Sequence, residues 1–453
     1  EFVIRLIYSL SSTSLDTIQD YFGLTSKEML AIIDDLQEEN LVEWEGGKIK
    51  LTYYAMSKFT EEDGNLRPTF FEVTDEASPV EFELYSFQML STDVRRSGSD
   101  DFSISLDLPD ECYRNLLNKA QNAFDKNFNL FRELVLKEDV FSEVKELYKI
   151  NQVSDRYDAT LPLEVEYFID TDSPSKIKME YVSNTLDEWD EEKKMFSLMD
   201  STISVGALKN QYHSFNEYLE ISSDPFLIQF WDDNTKTLNV KALVNHYENG
   251  LTKLNNDTFM LLGNFYTAQN RGIIVDRLET IFKDRPDNSG LIWLANSESK
   301  TWGKTADLNK LVDEVYNLFD KRKKTSKIIL GMACESYQES MNLKNNFWKL
   351  SNAELMDLPA KFGGADAEFM IIPGLMVASL FHLQQDEQRD ISLPVGYISF
   401  APKFVSKVSI KFFDWITLQS RYNDFFEKKD IEEDQKVRNK CLTPILHQIK
   451  PAS

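Results

Sequence analysis

The chain has 453 residues and a formal net charge of −25, from 75 Asp and Glu against 50 Lys and Arg. Apolar residues make up 42% of the sequence, which is enough for packed cores and excludes a disordered acidic tail. The longest apolar run, 369–381, is too short for a membrane span of ~20 residues, and the three cysteines give neither a disulfide framework nor a zinc site. We therefore expect a soluble cytoplasmic protein with no membrane contact, metal or other cofactor. Its length predicts about three domains.

The segment 1–65 has the pattern of a small helical domain closed by a hairpin. Apolar residues at helical spacing predict short helices at 15–22 and 26–40. Gly46 and Gly47 separate two short stretches and predict a hairpin turn, because glycine accepts the positive φ that such a turn needs. This order of elements resembles a winged helix-turn-helix domain, a fold whose second helix commonly enters the major groove of DNA.

The predicted helix at 26–40 carries the wrong charge for that use. It has a formal charge of −4, from one cation, Lys27, and five acids: Glu28, Asp34, Asp35, Glu38 and Glu39. It also has no Arg to pair with a guanine edge. Binding to nucleic acid draws its affinity from cations that neutralise phosphates. We therefore expect a contact with protein or a purely structural role here, with direct DNA binding as the alternative.

Residues 66–255 predict a mixed α+β region. Apolar and charged residues alternate at 163–169 and at 177–182, which predicts a β-hairpin with one solvated face. Two further strands are predicted at 226–231 and 238–244.

Residues 256–415 contain nearly continuous apolar runs separated by helical patterns. The runs are at 258–264, 290–296, 328–332 and 368–372. Runs without alternation are typical of strands buried on both faces, so they predict an α/β domain with a largely parallel sheet. The whole chain is thus predicted to be an α+β multidomain protein with boundaries at 1–65, 66–255, 256–415 and a C-terminal helical tail at 416–453.

Two strands with a histidine and an aspartate between them are the main candidate for chemistry. A strand predicted at 375–381 leads into His382, and Asp390 precedes a second strand at 393–400. This arrangement resembles part of the active strand pair of the phospholipase D-like superfamily. The resemblance implies a phosphodiesterase in which one histidine attacks phosphorus and another acts as acid, with His382 and Asp390 as catalytic residues.

The same stretch departs from the pattern of that superfamily. Gln384 stands where a lysine is expected, and Gly396 is followed by Tyr397 rather than by serine. The chain has four histidines, at positions 213, 246, 382 and 447, so a site with two histidines needs a distant one or a second chain. We therefore expect a degenerate copy without activity, with a hydrogen-bonded histidine at a strand end as the structural interpretation of His382.

A basic cluster is the candidate for nucleic-acid contact. Its members are Lys321, Arg322, Lys323 and Lys324. Cations combined with aromatic residues bind single-stranded nucleic acid. The alternative is the last turn of a helix, where cations stabilise the helix dipole.

These features favour a non-enzymatic adaptor or assembly subunit of an intracellular DNA-handling complex, with bacterial phage defence as an analogy of architecture. Its partner is expected to be a basic or DNA-bound protein, and a homodimer stays open. One alternative is a phospholipase D-like phosphodiesterase or nuclease acting through His382. The other is a winged-helix regulator that binds DNA directly.

Overall fold

The computed structural model describes most of the chain. The described residues are 1–62, 65–68, 77–90, 102–134, 147–155, 158, 160–161, 163, 165–171, 177–181, 192–204, 211–284, 290–296, 299–319, 328–334, 336–358, 360–385, 389–419 and 445. The chain divides into two compact units, one of residues 1–81 with 131–152 and one of residues 82–130 with 153–453. The four domains expected from the sequence stay a prediction.

The first unit begins with three helices and a β-hairpin. Their bounds are α1 Phe2–Leu10, α2 Leu15–Phe22, α3 Ser26–Glu38, β1 Val42–Glu45 and β2 Lys48–Leu51. The Ser14 and Thr25 side chains cap α2 and α3 by accepting backbone N–H groups. Gly46 and Gly47 both have positive φ at the hairpin turn. The element order predicted for a winged helix is confirmed, and α4 Tyr53–Ser57, β3 Phe59–Glu62 and β4 Asn65–Pro68 follow it.

The middle of the chain is α+β, as expected. Its elements are α5 Leu116–Lys126, α6 Phe128–Leu134, β5 Val165–Ile169, β6 Ile177–Tyr181, α7 Glu192–Thr202, α8 Tyr212–Ser222, β7 Trp231–Asp232, β8 Thr237–Leu238 and α9 Val240–Glu248. The predicted hairpin is confirmed, since β5 pairs antiparallel with β6. The strand expected at 226–231 is wrong, because residues Leu227–Gln229 form a 3-10 helix and β7 begins only at Trp231. The strand expected at 238–244 is wrong too. Asn239 accepts a hydrogen bond from the Ala242 N–H and so starts a helix there, and the buried Val240 and Leu243 lie at helical spacing.

An eight-stranded mixed sheet dominates the second unit. The strands are β9 Lys253–Asn255, β10 Thr258–Leu262, β11 Leu291–Leu294, β12 Ile328–Ala333, β13 Glu354–Leu358, β14 Ala367–Ile372, β15 Met376–Gln384 and β16 Ser392–Ser399. Their order is β13-β12-β11-β14-β15-β16-β10-β9. The expected α+β class is confirmed.

The expectation that this sheet is largely parallel is wrong. Strand β12 pairs parallel with β11 and β13, whereas β14, β15, β16, β10 and β9 continue the sheet antiparallel. Residues 373–375 alone connect β14 to β15, and so short a connection excludes a parallel crossover. The continuous apolar runs instead reflect burial of both faces.

Helices cover the two faces of the sheet. They include α10 Ala268–Asp284, α11 Ala306–Leu318 and α12 Tyr337–Asn346 on one face, and α8, α9 and α13 Pro402–Gln419 on the other. Strand β11 shows the division: Ile292 and Leu294 pack in one core, and Trp293 packs in the opposite core. Within the described residues, no helix has both the length and the apolar character that crossing a membrane requires.

Candidate functional site: an acidic helix face and a buried histidine

Helix α3 separates an apolar side from an acidic side. Met29 and Ile33 are buried in the core of the first unit. The opposite side exposes Asp34, Asp35 and Glu38, which we call the acidic face. Asp34 and Glu38 are four residues apart and therefore share one side of the helix. All three lie in the C-terminal half of α3, where the helix dipole is itself negative, so the negative potentials add.

The hairpin beside α3 does not restore a positive surface. The Lys50 ammonium lies 3.1 Å from the carboxylates of both Glu43 and Glu45. Hydrogen bonds to these two carboxylates raise the pKa of Lys50. The indole N–H of the half-exposed Trp44 donates to the Gln37 side chain at 3.2 Å, which fixes this ring beside α3. One of the two wing lysines is thus neutralised by its own hairpin.

Not every carboxylate of α3 is free for a partner. The Glu28 side chain accepts hydrogen bonds from the backbone N–H and the hydroxyl of Thr25, at 2.9 and 2.7 Å. These bonds lower the pKa of Glu28. Because Glu28 completes the capping box that starts α3, we leave it out of the acidic face.

The predicted catalytic histidine lies inside the sheet. His382 is on β15 and is 3% exposed. Its Nε2 lies 2.6 Å from Oε2 of Glu368, and its Nδ1 lies 3.3 Å from the Ser392 hydroxyl. Glu368 is fully buried on β14 and also accepts the indole N–H of Trp293 at 2.7 Å. Both ring nitrogens of His382 therefore already have protein partners, as in a structural histidine.

The predicted partner of His382 has a different role in the structure. The Asp390 carboxylate accepts the Lys300 N–H, and the Asp390 carbonyl accepts the Thr301 hydroxyl at 3.0 Å. The Asp390 N–H donates to the Ile203 carbonyl at 2.8 Å. These contacts join three segments of the second unit, and none of them involves His382. The catalytic roles of His382 and Asp390 stay predictions.

Neither His213 nor His246, the two other histidines that the structure describes, supplies a second imidazole to this site. His213 is exposed on α8 and lies 3.2 Å from Glu217, and His246 on α9 contacts the Phe230 ring. His447 and the basic cluster Lys321, Arg322, Lys323 and Lys324 lie outside the described residues. Nucleic-acid binding by that cluster stays a prediction.

Buried carboxylates were missed from the sequence, among them Glu368 and Asp224. Asp224 accepts the Tyr218 hydroxyl at 2.7 Å and the N–H groups of Phe226 and Leu227. Burial raises the pKa of Asp224. A charged residue that opens an apolar run, as Glu368 does in 368–372, signals a buried partner, because an unpaired buried charge is costly.

No metal site is evident in the part of the chain that the structure describes, where no three His, Cys, Asp or Glu side chains come together.

Comparisons with known proteins leave the class of protein open. No protein-family model matches the chain, and no curated protein is significantly similar to it. Among solved structures, TrmBL2, an archaeal chromatin protein described as showing a novel mode of DNA binding, is 11% identical. That match covers 55% of this chain and 75% of TrmBL2 with a TM-score of 0.21. So low a TM-score does not establish a shared fold, and we infer nothing from it.

Proposed function

We propose that this chain is a non-enzymatic adaptor or assembly subunit that binds a basic protein segment through the acidic face of α3. One observation carries the proposal. Asp34, Asp35 and Glu38 are exposed on the helix that a winged helix would present to DNA, while Lys50 of the wing is held by Glu43 and Glu45.

The charge of this surface favours a polycationic partner. A protein gains affinity for DNA by releasing counterions when Lys or Arg neutralises phosphates. The exposed charges of α3 are carboxylates apart from Lys27, so this surface gains little from that process and is repelled by phosphate. The same carboxylates attract lysine and arginine side chains, and complementary charge both steers a partner and sets its register.

Apolar groups beside the acidic face supply the contact area that a protein partner needs. Leu30 on α3 is 49% exposed and Trp44 on β1 is 46% exposed. Aromatic residues are enriched where protein interfaces hold most of their binding energy. A basic segment with one apolar side chain is therefore the chemistry that fits this face.

The setting that we propose is an intracellular DNA-handling complex. Proteins of such complexes carry the Lys-rich and Arg-rich segments that DNA binding requires, so they offer suitable partners. Phage defence is a more specific setting that enters the proposal by analogy of architecture alone.

The two alternatives fit the geometry less well. A phosphodiesterase needs a histidine that reaches its substrate, whereas His382 is buried and bound to Glu368. A DNA-binding regulator needs a cationic recognition surface, whereas the described face of α3 is acidic.

Fluorescence anisotropy with a labelled lysine-rich peptide tests the proposal on the full chain. We expect saturable binding that weakens as salt is added, because the contacts are between exposed charges. Reversing the acidic face with Asp34→Lys, Asp35→Lys and Glu38→Lys is expected to weaken binding by at least about 10-fold.

A second triple variant, in which three acidic residues of the second unit are changed to Lys, distinguishes binding at the acidic face from attraction by the net charge of the chain. Glu248, Asp257 and Glu279 are exposed in the second unit, and their change to Lys alters the net charge by the same amount. We expect this control to bind the peptide nearly as the wild type does. Equal loss in the two triple variants would show attraction by net charge alone and would overturn the proposal.

A further inference from the structure

A pocket in the second unit combines two cations with a polar wall. Its volume is about 280 Å³. It lies where the end of α9, the edge strand β9, β10 and α10 meet, and its lining includes Tyr247, Lys253, Phe259, Gln269, Asp276 and Arg277. None of these residues belongs to the acidic face or to the surroundings of His382.

The two cations of this pocket converge on one aromatic ring. The Arg277 guanidinium carbon lies 4.8 Å from the centroid of Phe259, and the Lys253 ammonium lies 5.7 Å from it. The β9–β10 pairing places Lys253 directly opposite Phe259, and α10 brings Arg277 over the ring. Within the described residues, neither cation has a carboxylate partner.

The lining of the pocket also holds one acidic side chain beside the two cations. Asp276 lines the same pocket, yet it forms no ion pair with Arg277 or Lys253 in the described structure. The lining therefore keeps two positive charges and one negative charge available to a ligand.

The same lining also offers hydrogen-bonding groups. Tyr247 and Gln269 are hydrogen-bonded to each other, and burial raises the pKa of Tyr247. Gln269, Ile273 and Arg277 follow one another at four-residue spacing, so one side of α10 faces the pocket.

We propose that this pocket binds a phosphorylated small molecule that carries hydroxyl groups, no larger than a mononucleotide. The planar fork of Arg277 bonds two phosphate oxygens at once, and Lys253 adds a point charge. Asp276 accepts a ligand hydroxyl. The volume lies just below the roughly 300–1,000 Å³ that small-molecule sites occupy, which limits the ligand to this size. The pocket is independent of the adaptor role.

Isothermal titration calorimetry of the full chain tests the site with three probes: AMP, ribose 5-phosphate and unphosphorylated adenosine. We expect one site per chain for AMP and ribose 5-phosphate, with Kd values of about 1 mM or tighter, and adenosine weaker by at least about 10-fold. Arg277→Ala and Lys253→Ala are each expected to weaken AMP binding by about 10-fold or more, because each removes a charge-assisted contact.

Two further variants keep the test decisive. Lys283→Ala removes an exposed cation of α10 that pairs with Glu279, and it should leave AMP binding unchanged. Arg277→Lys keeps the charge without the fork and should bind AMP with intermediate affinity, with folding checked by thermal unfolding. Absence of saturable binding of both phosphorylated probes, adenosine binding as tight as AMP binding, or equal binding by wild type and Arg277→Lys would each overturn the proposal.

Discussion

Individual side chains buried in the second unit show how this chain accommodates charge. Glu368 meets the Trp293 indole and the His382 ring, and Asp224 meets the Tyr218 hydroxyl and two backbone N–H groups. A buried carboxylate with several hydrogen-bond partners is tolerated, whereas removal of one member leaves the others unsatisfied. We therefore expect Glu368 and Asp224 to contribute to the stability of the folded chain.

Truncating Glu368 should be costly. Glu368→Ala leaves the buried Trp293 N–H and the His382 ring without their partner, so we expect the free energy of unfolding to fall by about 3 kcal/mol or more. Glu368→Gln keeps an oxygen for the indole and should lose less. Urea unfolding followed by tryptophan fluorescence measures both variants. A loss in the glutamine variant as large as that in the alanine variant would contradict this view of the cluster.

Asp224 should make stability depend on pH in an unusual direction. Burial raises its pKa above the usual 3.8, so the folded chain binds the proton more tightly than the unfolded chain does. Its contribution to stability is therefore full below pH 3.8 and is lost as the pH rises through the raised pKa. Asp224→Asn does not titrate. Thermal unfolding should show a larger advantage of wild type over Asp224→Asn in acid than at neutral pH; the opposite trend would refute the assignment.

Helices and strands could be predicted from the sequence where caps and turn residues favour the same structure as the tertiary packing does. The capped helices α2 and α3 and the Gly46-Gly47 hairpin are such cases, because their caps and turn residues act within a few positions. Strand direction was not predictable from apolar runs, since both parallel and antiparallel strands become apolar when helices cover both faces. His382 was found as a polar residue at a strand end. Its partner Glu368 comes from the neighbouring strand, and that register is set by tertiary pairing.

The antiparallel pair β15–β16 requires glycine at position 396. A Cβ atom at Gly396 would lie 2.0 Å from the Ser379 carbonyl oxygen. Gly396→Ala must therefore displace a central strand, and we expect a loss of at least about 3 kcal/mol in the free energy of unfolding. This close approach of two strands explains the glycine without a catalytic role.

Gly272 on α10 is the matched control for this substitution. An added Cβ there meets no heavy atom within 4 Å. Because alanine is the better helix former, Gly272→Ala should raise the free energy of unfolding by about 0.5–1 kcal/mol. Both variants are compared by urea unfolding. Equal stability of the two would contradict the strand packing described for β15 and β16.

For the whole molecule, the excess of 25 negative charges bears differently on the two proposals. It reinforces the acidic face of α3, because distant carboxylates add to the local potential. It opposes the pocket at Arg277 and Lys253, where an anionic ligand must overcome the field of the whole chain. Added salt should therefore weaken peptide binding at the acidic face more than AMP binding at the pocket. Salt screens the exposed contacts of the peptide, whereas it also reduces the repulsion between AMP and the negative chain.

Titration of a labelled DNA duplex at low ionic strength tests the acidic face most directly. The full wild-type chain is compared by fluorescence anisotropy with the variant carrying Asp34→Lys, Asp35→Lys and Glu38→Lys. We expect no binding by the wild type, and salt-sensitive binding by the variant, because its new lysines release counterions from the duplex. Salt-sensitive binding by the wild type that the triple reversal does not strengthen would show that α3 is no barrier to DNA, and the adaptor proposal would lose its basis.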